Sequence, residues 1–422
     1  MRATPLSFQQ EETLRNMRRS PGSDVAYDTV LVFRLRGAVD EKLLAEALRA
    51  TVNRHPELRT TVAASPSGHV QRLWAKGDPA PVGLHEESES TGEMAAKLLG
   101  ARYGLAEVLA GQPLFRAGVH RAGADLHLVF AIHHLIFDGW STGLLLRDLS
   151  EFYTALVEHR GPVLPPVQLS YADFAGEQHA AWERLREEAV EFWGEELAGC
   201  TGQVAWPRPP AGGAATDTGS IEQVRLSSRA VAAVRTTARR ERVTPFTVLL
   251  TATAVSVARL TGTIDLFAGS DTANREDSRK HQTIGYFTNT RFSRLRAAPG
   301  RPVEEMVRDV RRTFRDTERL ADVYSGKLLE ALGQAQPIKI NLSPPPGAAG
   351  RALRLPGAEA EHLPVRTLVR YWRDFTMQWF AGTEEITGGI WYRHAGIGQP
   401  AVERLAAGLD RVLTSEFGRA AA

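Results

Sequence analysis

Hydrophobic and polar positions along this chain fall into two periods. The run Leu126-His127-Leu128-Val129-Phe130-Ala131-Ile132 is nearly unbroken in its apolar character and reads as a buried β-strand. Alternation along a strand puts Leu126, Leu128, Phe130, Ile132 and His134 on one face and His127, Val129, Ala131 and His133 on the other. The two adjacent histidines are therefore expected to point to opposite sides. After Gly139 the period changes. Trp140, Leu144, Leu145, Leu149, Phe152 and Leu156 recur at three- and four-residue spacing, the stripe of an amphipathic helix. The same two periods predict strands over residues 27–35, 266–269, 338–342, 375–380 and 390–392. They predict helices over 41–53, 245–260 and 402–413. Ser7 reads as an N-cap with Gln10 completing a capping box. Pro56 ends the 41–53 helix, and Leu58 is expected to start a strand.

Strands and helices interleaved in this way predict an α/β protein. At 422 residues the chain is too long for one ordinary core, so two domains are expected. Gly161-Pro162 and Pro165-Pro166 punctuate the middle. A helix follows from Tyr171 to near Gly199, and residues 207–220 are rich in Pro, Gly and Ala. These features divide the chain into residues 1–165, a linking helical region 166–205, and residues 206–422.

Composition narrows the class. A hydrophobic share of 43% and a charged share of 24% are those of a globular protein. The formal net charge of +2 has no dense basic block behind it, so no nucleic-acid partner and no membrane surface is implied. No apolar run approaches the ~18 residues of a membrane span, and residues 1–7 lack the apolar core of a signal peptide. The expected location is cytoplasmic. The single cysteine, Cys200, excludes a disulfide within the chain and a cysteine metal site.

The candidate chemistry sits where the strand gives way to the helix, at His133-His134-Leu135-Ile136-Phe137-Asp138-Gly139. A chance occurrence of this His-His-x-x-x-Asp-Gly pattern in such a chain has a probability of roughly 0.002. A strand end, a tight loop and a helix start bring a base beside unpaired N–H groups and a positive dipole end. That arrangement suits attack on a carbonyl carbon. His134 is the candidate base or positioner of the nucleophile, since an ordinary imidazole exchanges protons near neutral pH. His133 is expected to pack and hydrogen-bond internally. Gly139 lets backbone approach a substrate without a Cβ, and its N–H is a candidate oxyanion donor. Trp140 either lines a channel or packs, and Ser141 follows it at the helix start.

His133 to Ser141 resembles the core motif of the condensation domains of nonribosomal peptide synthetases, members of the superfamily that includes chloramphenicol acetyltransferase. Further segments resemble the family in the same order: Leu6-Ser7-Phe8-Gln9-Gln10, Arg54 to Thr60, Pro113 to Arg116, Tyr171 to Phe174, and Gly285 to Thr290. The resemblance implies two chloramphenicol-acetyltransferase-like domains in a V-shaped pseudo-dimer. It implies amide formation between an acyl or aminoacyl thioester and an amine, by a free-standing enzyme of natural-product biosynthesis. The donor would arrive on the phosphopantetheine arm of an acyl or peptidyl carrier protein, with no bound cofactor and no metal. The acceptor would be a small amine or alcohol, or a carrier-bound group, and the enzyme a monomer. By the same resemblance Asp138 pairs with a distant arginine rather than with His134, and Arg275 is nominated across the two halves. Asn289 and Asn341 would border the acceptor channel with Trp140 and Ser141. Two departures stand out: where the family commonly has a Pro-Phe-Glu segment before its next helix, this chain has Ala321-Asp322-Val323-Tyr324-Ser325-Gly326, and residues 344–364 are rich in Pro, Gly and Ala. An ester-forming or CoA-dependent acyltransferase, and a non-catalytic module that docks on a carrier protein, are the competing readings.

Overall fold

The computed structural model describes residues 2–19, 28–66, 68–76, 82–85, 104–123, 125–209, 218–343, 352–363 and 373–418. Residues 210–217, 344–351 and 364 of the Pro/Gly-rich stretches 207–220 and 344–364 lie outside these residues. The chain forms two compact units. The first comprises Met1–Ala180, Ala273–Thr288 and Gly347–Leu368, the second Ala181–Thr272, Asn289–Pro346 and Val369–Ala422. The contacts therefore depart from the boundaries expected at 165 and 205. The helix Tyr171–Glu196 carries the chain out of the first unit, and two later segments return to it.

The first unit is built on a five-stranded sheet in the order Ala358–Leu363, Asp28–Gly37, Asp125–His133, Phe115–Ala122, Val82–His85. Neighbours are antiparallel except the last pair. The motif strand, Asp125–His133, lies at the centre. Its residues from Leu128 to His133 are buried on both faces, which is why the apolar run is continuous rather than alternating. The edge strand Ala358–Leu363 enters beside Gly37, whose φ is +112°. A Cβ there would stand 2.4 Å from the Gly357 carbonyl oxygen, so glycine is required at this crossing.

Helices hold the motif from behind. In the helix Glu41–Arg54, Asp40 caps the N-terminus by accepting the Lys42 and Leu43 N–H groups. This helix packs on the motif helix, Gly139–Val157. Arg54 Nε donates to the buried Asp148 at 2.7 Å, and His55 Nε2 lies 2.8 Å from the same oxygen. Burial alone would raise the Asp148 carboxyl, but His55 and Arg147 outweigh it and hold the group below its ordinary value. The strand expected at Leu58 starts instead at Thr60. Pro56 pre-sets a helical turn, and Pro56–Arg59 forms one of 3-10 type.

In the second unit a six-stranded sheet runs in the order Asn289–Arg296, Asp265–Thr272, Ile338–Ser343, Phe375–Ala381, Ile386–Arg393, Gly219–Arg225. Its core helix, Pro245–Thr261, is buried continuously from Thr247 to Ala258. Polar side chains on this helix are satisfied: Thr251, Thr253 and Ser256 each donate to the carbonyl one turn back at 2.7–2.8 Å. Trp379 Nε1 donates to Thr253 Oγ1 at 3.1 Å. Among the described residues no single helix is long and apolar enough to cross a membrane, and no group of three or more His, Cys, Asp or Glu side chains is placed to hold a metal ion.

Candidate active site

The motif strand ends at His133, whose N–H donates to Leu114 O at 2.9 Å. His134–Ile136 forms a 3-10 turn, Phe137 is extended, and the motif helix begins at Gly139. His134 has thus left the strand, and strand alternation does not set its direction. His133 is fully buried and its Nδ1 accepts the Leu135 N–H at 3.0 Å. Burial pushes the His133 imidazole down to about 3, and the neighbouring His134 adds to the effect. His133 is therefore neutral at physiological pH, as an acceptor must be. His134 is partly exposed, with its Nδ1 turned into the protein. Its ring centroid lies 4.2 Å from that of Tyr286, at an interplanar angle of 59°.

Asp138 is the N-cap of the motif helix and the centre of a buried knot. Its Oδ1 accepts the Ser141 N–H at 2.9 Å and the Ser141 hydroxyl at 2.7 Å. Arg275 Nη2 reaches both carboxylate oxygens, at 3.2 and 3.1 Å. The Phe287 N–H donates to Oδ2 at 3.1 Å. Arg275 itself is 4% exposed, donates through Nη1 to the Lys280 and Thr283 carbonyls, and lies over the Phe287 ring at 4.2 Å. Burial lowers the Arg275 guanidinium below the ordinary arginine value, and Asp138 opposes that fall. The pairing expected across two halves is internal to the first unit, because residues 273–288 fold into it.

Residues to which the sequence assigned no part in the site complete the knot. Tyr171 is buried; its hydroxyl donates to Tyr286 O at 2.8 Å and lies 2.7 Å from Ser7 Oγ. A Cβ on Gly285 would stand 2.3 Å from Tyr171 Cδ2, so this glycine is fixed by packing. The capping box expected at the first helix, Phe8–Arg19, is present: the Ser7 N–H donates to Gln10 Oε1 and the Gln10 N–H to Ser7 Oγ. Gln10 Nε2 also donates to Leu135 O at 2.9 Å, tying the start of the chain to the motif turn.

The four channel candidates separate. Trp140 is 44% exposed and its indole N–H donates to His281 O at 3.2 Å. Gly139, beside it, is exposed at the helix start. Ser141 is fully buried and accepts the Gly285 N–H at 3.0 Å, so it belongs to the knot rather than to a channel. The reason is positional: as the third residue of a helix capped by Asp138, its hydroxyl turns toward the cap. Asn289 and Asn341 lie in the second unit. The Asn289 amide donates to Val323 O and its oxygen accepts the Thr290 and Ser325 N–H groups. Asn341 bonds Asp271, which in turn holds Lys339. Both asparagines serve local loop and strand ends.

The model of the condensation domain family matches residues 2–341. Phosphinothricin tripeptide synthetase PhsC of Streptomyces viridochromogenes is 31% identical over 315 residues, 73% of this chain and 29% of that protein. Cyclosporin synthetase simA of Tolypocladium inflatum is 28% identical over 380 residues, 86% of this chain and 2% of that protein. The chain thus spans only a small part of these relatives' lengths. The crystal structure of the X-domain from teicoplanin biosynthesis has a TM-score of 0.82 at 21% identity, covering 99% of this chain and 96% of that one. This likeness shows the fold, α/β with two chloramphenicol-acetyltransferase-like units. A family match that runs unbroken from the first strand through the motif and its arginine partner into the second unit goes beyond shared architecture: the chain belongs to the condensation domain family.

Proposed function

We propose that this domain joins an acyl or aminoacyl group, held as a thioester on the phosphopantetheine arm of a carrier protein, to an amine. The observation that carries this reading is the division of labour in the histidine pair: His133 is buried and neutral, and His134 is left partly exposed. The amine nitrogen attacks the thioester carbonyl carbon, a C–N bond forms and the C–S bond breaks. The amine's proton passes to His134, on the ring nitrogen opposite its inward-turned Nδ1. The thiolate leaves on the carrier's arm and takes up a proton. In this reading Gly139, the exposed last residue of the motif at the helix start, offers its N–H to the oxyanion. His133, Asp138, Arg275 and Ser141 hold the turn in shape. Thioesters already react with amines, so orientation supplies much of the rate.

The test is intact-mass tracking of acyl-loaded carrier proteins with a panel of amines and alcohols, for the wild type and His134→Ala. Histidine-dependent loss of the acyl group with an amide product supports the reading; an ester product moves the domain to the alcohol-acylating class. A second reading is recruitment. It is favoured by the likeness to the X-domain, which has also been solved in complex with OxyB. Retained carrier binding with no transfer to any acceptor is the outcome that reading expects.

A further inference from the structure

Tyr286 stands between Gly285 and Phe287, and its carbonyl and the N–H groups of both neighbours are held. The Gly285 N–H donates to Ser141 Oγ at 3.0 Å, and the Phe287 N–H to Asp138 Oδ2 at 3.1 Å. The Tyr286 carbonyl accepts the Tyr171 hydroxyl at 2.8 Å. Gly285 is pressed against the Tyr171 ring closely enough that a Cβ would not fit. Backbone held in this way fixes the direction of the Tyr286 Cα–Cβ bond, and the ring lies against His134. The segment Gly285 to Phe287 thus touches both the aspartate knot and the candidate base.

We propose that Tyr286 is the positioning residue for His134: its ring forms the wall that keeps the imidazole in one orientation. This rests on the reading of His134 as the acting group. The flat ring does the work, so phenylalanine is expected to replace tyrosine and an aliphatic side chain is not.

The experiment compares wild type, Tyr286→Phe and Tyr286→Leu by two independent readouts. The first is kcat and KM for amide formation from an acyl-loaded carrier. The second is the NMR titration of the His134 ring, which needs no substrate. Tyr286→Phe is expected to keep kcat within about twofold and to overlay the wild-type titration. Tyr286→Leu is expected to lose about 10²-fold in kcat with KM nearly unchanged, the penalty of a misplaced group, and to shift the His134 midpoint. Wild-type kcat and midpoint in Tyr286→Leu overturn the proposal. So does a Phe variant as slow as the Leu variant, which would give the role to the hydroxyl. If the wild type itself forms no amide, the catalytic reading fails, and the titration still decides on Tyr286. Tyr286→Met, of similar bulk without a flat ring, replaces the Leu variant should that one fail to fold.

Discussion

Arg275 and Asp138 stand 137 residues apart in the chain and meet within one unit, with Arg275 Nη2 3.2 and 3.1 Å from the two carboxylate oxygens. Both side chains are 1% exposed. Removing one partner from such a pair leaves a buried charge uncompensated, at a cost of about 3–5 kcal/mol. Asp138→Ala and Arg275→Ala are each expected to lower the unfolding free energy, measured by urea titration, by that amount. The double variant is expected to lose less than the sum. Wild-type melting of both single variants would remove the pair from the stability account.

His133 gives a pH dependence of defined sign. Its folded-state value, about 3, lies below the ordinary histidine value near ~6.5. Between those limits the unfolded chain binds the extra proton, so stability rises with pH. The contribution is complete above about pH 6.5 and is lost as pH falls toward 3, at up to about 1.4 kcal/mol per pH unit. Denaturant midpoints measured from pH 7 down to 4 in His133→Asn, which keeps an acceptor for the Leu135 N–H, should show a shallower fall than the wild type.

Gly285→Ala places a methyl group 2.3 Å from Tyr171 Cδ2. A forced shift of that size costs about 1–3 kcal/mol. Calorimetry should show a lowered Tm, with the Tyr171 bonds to Ser7 and Tyr286 disturbed; an unchanged Tm would mean the 285–287 segment yields more readily than its bonds suggest.

Ser141→Ala separates a channel role from a structural one. Its hydroxyl bonds Asp138 and accepts the Gly285 N–H, all out of solvent. Loss of these bonds is expected to cost about 1–3 kcal/mol. The ranking of acceptors in a competition assay is expected to stay as in the wild type; a reordered ranking would return Ser141 to the channel.

Much of the local structure was legible in the sequence. The motif strand and helix, the Ser7–Gln10 capping box and the helix starting at Pro245 follow from periodicity and short-range hydrogen bonding. Such features depend on neighbours in the chain. The direction of His134 was not legible, because the strand ends one residue earlier than alternation requires. Ser141 looked like a lining residue until its cap was seen to turn it inward. The nomination of Arg275 came from family resemblance, and no local pattern states which unit residues 273–288 join. Tyr286 escaped notice for the same reason: its contact with His134 exists only once that segment has folded against the motif.

The first unit's sheet gains its edge strand, Ala358–Leu363, and its buried cation, Arg275, from segments encoded far downstream. At ribosomal speed, the roughly 230 residues between the end of the motif strand and the end of that edge strand take about 10–45 s to emerge. Throughout that interval the nascent Asp28–Gly37 strand has an open side, and until Arg275 is made Asp138 lacks its counter-charge. A translation product halted near residue 205 would remain in this state indefinitely, presenting an unpaired β-edge to its neighbours. The amino-terminal sheet is complete only once the Ala358–Leu363 strand has been made.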